Sequence, residues 1–73
     1  MWKYKSPIGN IFIRRLSDGS YGMVFNGTVW ESCDTPQEAA DNVYMQETGC
    51  SEWDMYNTAN IIVPAELSKW ERT

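Results

Sequence analysis

The sequence predicts a small α+β fold: a three-stranded antiparallel meander packed on one helix, followed by an irregular C-terminal segment. Three observations carry this. Apolar and polar residues alternate between Asn10 and Cys33, and the alternation is interrupted by the turn dipeptides Asp18-Gly19 and Asn26-Gly27. Thr35, Pro36 and Glu38 supply the cap, first residue and capping-box partner of a helix N-terminus. Beyond Gly49 no period persists. With 73 residues, 42% of them apolar, the chain suffices for one domain over residues 1–73, near the lower limit for a core without staples.

Trp2-Lys3-Tyr4-Lys5 alternates aromatic and charged side chains in the manner of a short half-buried strand, and Ser6-Pro7-Ile8-Gly9 breaks it. Asn10 to Leu16 reads as the first strand of the meander, Tyr21 to Phe25 as the second and Thr28 to Cys33 as the third. A two-residue type I′ turn at each Asx-Gly dipeptide sets the register. It places Ile13 opposite Val24 and Phe12 opposite Phe25, then Val24 opposite Val29 and Met23 opposite Trp30. One face then holds Ile11, Ile13, Val24, Val29 and Cys33; the other holds Phe12, Arg14, Tyr21, Met23, Phe25 and Trp30. Small β-branched side chains suit close packing under a helix, which assigns the helix to the first face.

The helix is expected from Pro36 to about Glu47, with Ala39, Ala40 and Val43 towards the sheet, Gln37, Asp41 and Gln46 pointing away, and Gly49 as its left-handed terminator. Ser51 can begin a short helical turn around Trp53. Ile61-Ile62-Val63, halted by Pro64, is compatible with a short edge strand.

Composition narrows the function classes. The net charge is −4, and every cation lies outside the span from Leu16 to Ser68. Most of the surface would therefore repel a phosphate backbone, so nucleic acid is disfavoured as a partner; the acidic span reads first as a solvated face that keeps a small protein soluble, and second as a surface matched to a basic partner. Histidine is absent, which removes the usual base for a nucleophilic cysteine and the commonest zinc ligand, so no catalytic, cofactor-binding or metal site is expected. Cys33 and Cys50 flank the helix roughly 20 Å apart at ~1.5 Å per residue, too far for a disulfide, and read as free thiols of a reducing compartment. No apolar run reaches the ~20 residues of a membrane span and no signal-peptide core is visible, so the expected location is the cytoplasm.

The functional candidate is the aromatic face. Phe12, Arg14, Tyr21, Met23, Phe25 and Trp30 have the composition of a protein-interface core, and as such predict contact with another protein in a monomer or weak homodimer. The competing reading folds Trp2, Tyr4, Ile61, Ile62 and Trp70 over this face as a second core layer, leaving Trp30 mostly buried.

The meander followed by Cys-Asp-Thr-Pro-Gln-Glu-Ala-Ala resembles the DNA-binding domain of plant ethylene-response factors over roughly Ile11 to Tyr44. The resemblance implies a sheet face that carries Arg and Trp to DNA, with Arg14, Trp30 and Arg15 at the matching positions. Ser-Pro-Ile-Gly, Asp-Gly-x-Tyr, Ala-Ala-Asp-Asn-Val-Tyr and Thr-Gly-Cys-x-Glu-Trp-Asp together look like a set of short bacterial proteins of uncharacterised function. That similarity implies a bacterial source and brings no activity with it. An acidic inhibitor that mimics DNA towards a basic partner is a further alternative.

Overall fold

In the computed structural model, which describes residues 1–73, five strands form one antiparallel sheet covered on one side by helices and the C-terminal segment. The strands are β1 (Trp2–Ser6), β2 (Gly9–Arg15), β3 (Tyr21–Phe25), β4 (Thr28–Val29) and β5 (Glu71–Arg72), in the order β4-β3-β2-β1-β5. The α+β class and the antiparallel meander are as expected. The sheet is wider than three strands because Trp2–Ser6 pairs fully with β2, and the chain's last residues add β5 beyond it. Ile61-Ile62-Val63 forms no strand.

The register of the first meander hairpin departs from expectation by one residue. Phe12 pairs with Val24 and Ile13 with Met23, instead of Ile13 with Val24. Its turn is a three-residue loop, Ser17-Asp18-Gly19, in which the Gly19 amide donates to the Leu16 carbonyl and only Gly19 (φ 88°) is left-handed. Asp18 stays out of the left-handed region, and its carboxylate accepts from the Ser20 amide and hydroxyl at 2.9 and 2.6 Å. The second turn is the expected type I′, with both Asn26 (φ 54°) and Gly27 (φ 77°) left-handed, and it pairs Val24 with Val29.

A one-residue slip exchanges the faces of a strand. The inner face, towards the helices, holds Trp2 and Tyr4 of β1, Ile11 and Ile13 of β2, and Met23 and Phe25 of β3. The outer face holds Lys3, Lys5, Phe12, Arg14, Gly22, Val24 and Val29. Past β4 the Trp30 amide donates to the Met23 carbonyl, but Cys33 bridges Tyr21, so Glu31 and Ser32 together oppose Gly22 as a bulge. The extra residue turns Cys33 inward, where strict alternation would leave it on the outer side.

The helix α1 (Pro36–Met45) begins as expected: the Thr35 hydroxyl accepts from the Glu38 amide at 3.1 Å, and Pro36 occupies the first turn. Ala39, Ala40 and Val43 are fully buried against β2 and β3, and the alanines permit close approach of helix and sheet. The helix ends at Gln46, which takes the left-handed cap (φ 56°) expected of Gly49. Gln46 does not point away. Its side-chain amide donates to the carbonyls of Trp53 and Tyr56 at 2.8 and 2.6 Å and accepts from Thr58. Gln37 likewise clamps the C-terminal segment, donating to Ala65 and accepting from the Leu67 amide.

The Thr48-to-Asp54 stretch is a structural knot. Asp54, at the end of α2 (Ser51–Asp54), accepts from the Thr48 amide, the Thr48 hydroxyl at 2.7 Å and the Gly49 amide at 2.9 Å. Thr48 in turn accepts from the Cys50 amide. Trp53 is fully buried and its indole N–H donates to the Val43 carbonyl at 2.9 Å. A 3-10 turn at Leu67–Lys69 then delivers Trp70 to the core beside Tyr4, ring centroids 5.6 Å apart.

Candidate interaction surface

The residues expected to form one aromatic patch are divided by the sheet. Phe12 and Arg14 lie on the outer face, whereas Tyr21, Met23, Phe25 and Trp30 belong to the inner side. Met23 and Phe25 are core residues, and Tyr21 packs edge-on against Trp2 at 6.3 Å. Trp30 sits at the rim, 41% exposed, with its indole N–H donating to the Phe25 carbonyl at 3.1 Å. Of the residues expected to cover that patch, Trp2 and Tyr4 lie in β1 on the inner face itself, Trp70 packs on Tyr4 from the helical side and Ile62 is 93% exposed, so no second layer sandwiches the sheet. Arg14 and Trp30, paired by the ethylene-response-factor resemblance, face opposite ways. Arg15 is exposed opposite Tyr21.

What remains uncovered is the outer face. Phe12 and Val24, directly paired, are partly exposed at its centre; Val29 beside Val24 is 40% exposed. Phe12, Val24, Met1, Arg14 and Gly27 line a shallow open depression of about 270 Å³. Gly22 on this face is buried, because Val29 and Leu16 close over it: a Cβ there would meet Val29 Cγ1 at 2.9 Å and Leu16 Cδ1 at 3.1 Å.

The same face gathers cations. Lys3 pairs across from Phe12, Lys5 across from Asn10, and Arg14 stands two residues along β2. The sole acidic residue at a paired strand position of this face is Glu71, whose carboxylate is 3.8 Å from Lys3 Nζ, and that contact is the only ion pair between side chains. Lys5 and Arg14 are exposed and unpaired. Arg72, by contrast, is occupied on the inner side, its guanidinium 4.3 Å from the Trp2 ring centre. The helical side carries the opposite sign, with Glu38, Asp41, Glu47 and Glu52 exposed.

A partly buried polar cluster sits at the bulge. The Cys33 thiol donates to Glu31 at 3.5 Å, and the Asn42 amide donates to Glu31 at 3.2 Å and to the Cys33 sulfur at 3.5 Å. Burial, with the Glu31 carboxylate beside it, pushes the Cys33 thiol up to about 11, so the thiolate needed of a nucleophile is scarce at neutral pH. Burial also raises Glu31. Cys33 and Cys50 are both free. No group of three or more His, Cys, Asp or Glu side chains is placed to hold a metal ion, and no helix is long and apolar enough to cross a membrane.

No family model, curated protein or solved structure matches the chain. The surface itself therefore carries the functional argument.

Lys3, Lys5, Val24 and Val29 are the surface residues that sequence reasoning missed. Lys3 and Lys5 join Phe12 and Arg14 through the β1–β2 pairing, whereas Val24 and Val29 join them through the register of the β2–β3 hairpin, for which the signal was Asp at position 18: aspartate caps a three-residue loop as readily as it enters a type I′ turn.

Proposed function

We propose that this chain is a non-catalytic protein-binding module whose outer sheet face is the contact surface. The carrying observation is that the paired strands present Phe12, Val24 and Val29 partly to solvent among Lys3, Lys5 and Arg14, with no element of the chain packed over them. An apolar centre with Arg at its edge is the composition of an energetic hot spot in protein interfaces. The geometry suits a partner that lies flat on the sheet, and the depression beside Phe12 suits one inserted side chain.

A photo-cross-linking residue at Val29, compared with one at Tyr44 on the helical side, tests the reading in cells of the source organism. The expected result is a discrete protein adduct from Val29 that Arg14→Glu removes, and none from Tyr44. The reverse pattern moves the contact to the acidic helical side and supports an inhibitor that mimics DNA. A second reading, nucleic acid on the outer face, is favoured by one observation, the segregation of Lys3, Lys5 and Arg14 around Phe12. An electrophoretic shift at low salt tests it, since phosphate contacts strengthen steeply there.

A further inference from the structure

We infer that the occupant of the outer face is an acidic protein segment carrying one bulky apolar side chain, which seats in the depression while its carboxylates engage Arg14, Lys3 and Lys5. This rests on the reading of that face as the contact surface and adds the chemistry of the partner. The depression is walled by Met1, Phe12 and Val24, and Gly27, having no side chain, leaves its end open. Its size of about 270 Å³ accommodates one large side chain and falls short of a typical small-molecule pocket.

Charge fixes the rest of the choice. Arg14 lines the depression itself, so a carboxylate next to the inserted side chain meets a planar guanidinium able to bind it through two parallel N–H groups. Lys3 and Lys5 continue the positive field along β1, and only Glu71 opposes it. In a net-acidic chain, leaving Lys5 and Arg14 exposed and unpaired on the one uncovered sheet face selects against basic partners and steers acidic ones. A two-fold contact between copies through the same face would bring two copies of this cationic surface together and is disfavoured by like charge.

The test uses ¹⁵N-labelled full-length chain and four probes: an acidic decapeptide with a central Trp, the same peptide with Ala for Trp, the same with Gln for every acidic residue, and a thymidine oligonucleotide. The acidic Trp peptide is expected to shift the amides of Phe12, Arg14, Val24 and Gly27, with the Ala and Gln peptides binding more weakly. Arg14→Glu should weaken the acidic Trp peptide by about fivefold to tenfold with the amide spectrum otherwise intact, given the modest strength of exposed charge pairs. If that variant does not fold, Lys5→Glu serves the same purpose from the part of β1 that lies beyond its pairing with β5. Equal affinity for the Gln peptide overturns the acidic-segment proposal and leaves the contact-surface reading standing. Preference for the oligonucleotide at the same amides overturns it in favour of nucleic acid. Shifts confined to the helical side, or none, overturn it outright.

Discussion

At the scale of single residues, the molecule depends on side chains whose partners lie across the sheet. Gly22 is the clearest: its conformation is ordinary, but the space for a Cβ is taken by Val29, Leu16 and the Glu31 carbonyl at 2.9–3.1 Å. Gly22→Ala should cost about 1–3 kcal/mol in urea denaturation, because the backbone oxygen cannot move aside without undoing the bulge. Glu31 gives a pH signature. Burial, partly countered by hydrogen bonds from Cys33 and Asn42, raises its pKa above the ordinary 4.5. The folded state then holds the Glu31 proton more tightly than the unfolded state. Its contribution to stability is complete below about pH 4.5 and is lost as pH rises through the folded value. Thermal midpoints of wild type measured from pH 4 to 7 should fall relative to those of Glu31→Gln, whose difference from wild type should shift in the mutant's favour as pH rises. Neither residue's role was legible in the sequence. Gly22 reads as an ordinary glycine and Glu31 as a surface acid until the bulge at Glu31-Ser32 is seen, and a bulge leaves no mark in a period-2 pattern.

At the scale of elements, the start of the helix was readable and the hairpin registers only half so. Thr35-Pro36-x-Glu38 specifies its helix terminus through local chemistry alone, so sequence sufficed. Asn26-Gly27 likewise dictates a type I′ turn, because Asn tolerates positive φ. Asp18-Gly19 admits two loops, and the choice was made by burial over the whole sheet: the observed register sinks Met23 and Phe25 rather than Val24. Engineered cysteines can check this on the exposed face. Phe12→Cys with Val24→Cys should be bridged by a short bifunctional thiol reagent, as directly paired Cβ atoms lie ~4.5–5.5 Å apart on one face, whereas Ile13→Cys with Val24→Cys should not, since their side chains leave opposite faces. The Thr48-to-Asp54 knot makes a second prediction. Removing a carboxylate that accepts from two amides and a hydroxyl, with Asp54→Ala, should cost about 2–3 kcal/mol by equilibrium denaturation, with tryptophan fluorescence as the probe. The Thr-Gly-Cys-x-Glu-Trp-Asp string is thereby accounted for as architecture.

At the scale of the whole molecule, one face of the sheet does all the packing. The core cluster joins Ile11, Ile13, Met23 and Phe25 to Ala39, Ala40 and Val43 of α1 and to Trp53 and Trp70 of the C-terminal third, whose irregular path hid its contribution from pattern reading. Gln37 and Gln46 tie that third down through its backbone, a role invisible in a helical wheel that shows them as surface polar residues. The two sides of the sheet should therefore answer differently to truncation. Trp70 is 5% exposed, packs on Tyr4, and donates to the Pro64 carbonyl at 3.2 Å; Phe12 is partly exposed and lies under no other element. Trp70→Ala should cost ~3–5 kcal/mol, comparable to the whole stability of a domain this small, and so abolish the cooperative transition and near-ultraviolet dichroism. Phe12→Ala should cost under about 1.5 kcal/mol, since the ring gives up only part of a full burial term and its removal opens no enclosed cavity. Phe12→Ala should nevertheless abolish any contact made through the outer face. If calorimetry instead found Phe12→Ala as damaging as Trp70→Ala, the outer face would be a core layer and its assignment as a contact surface would fail.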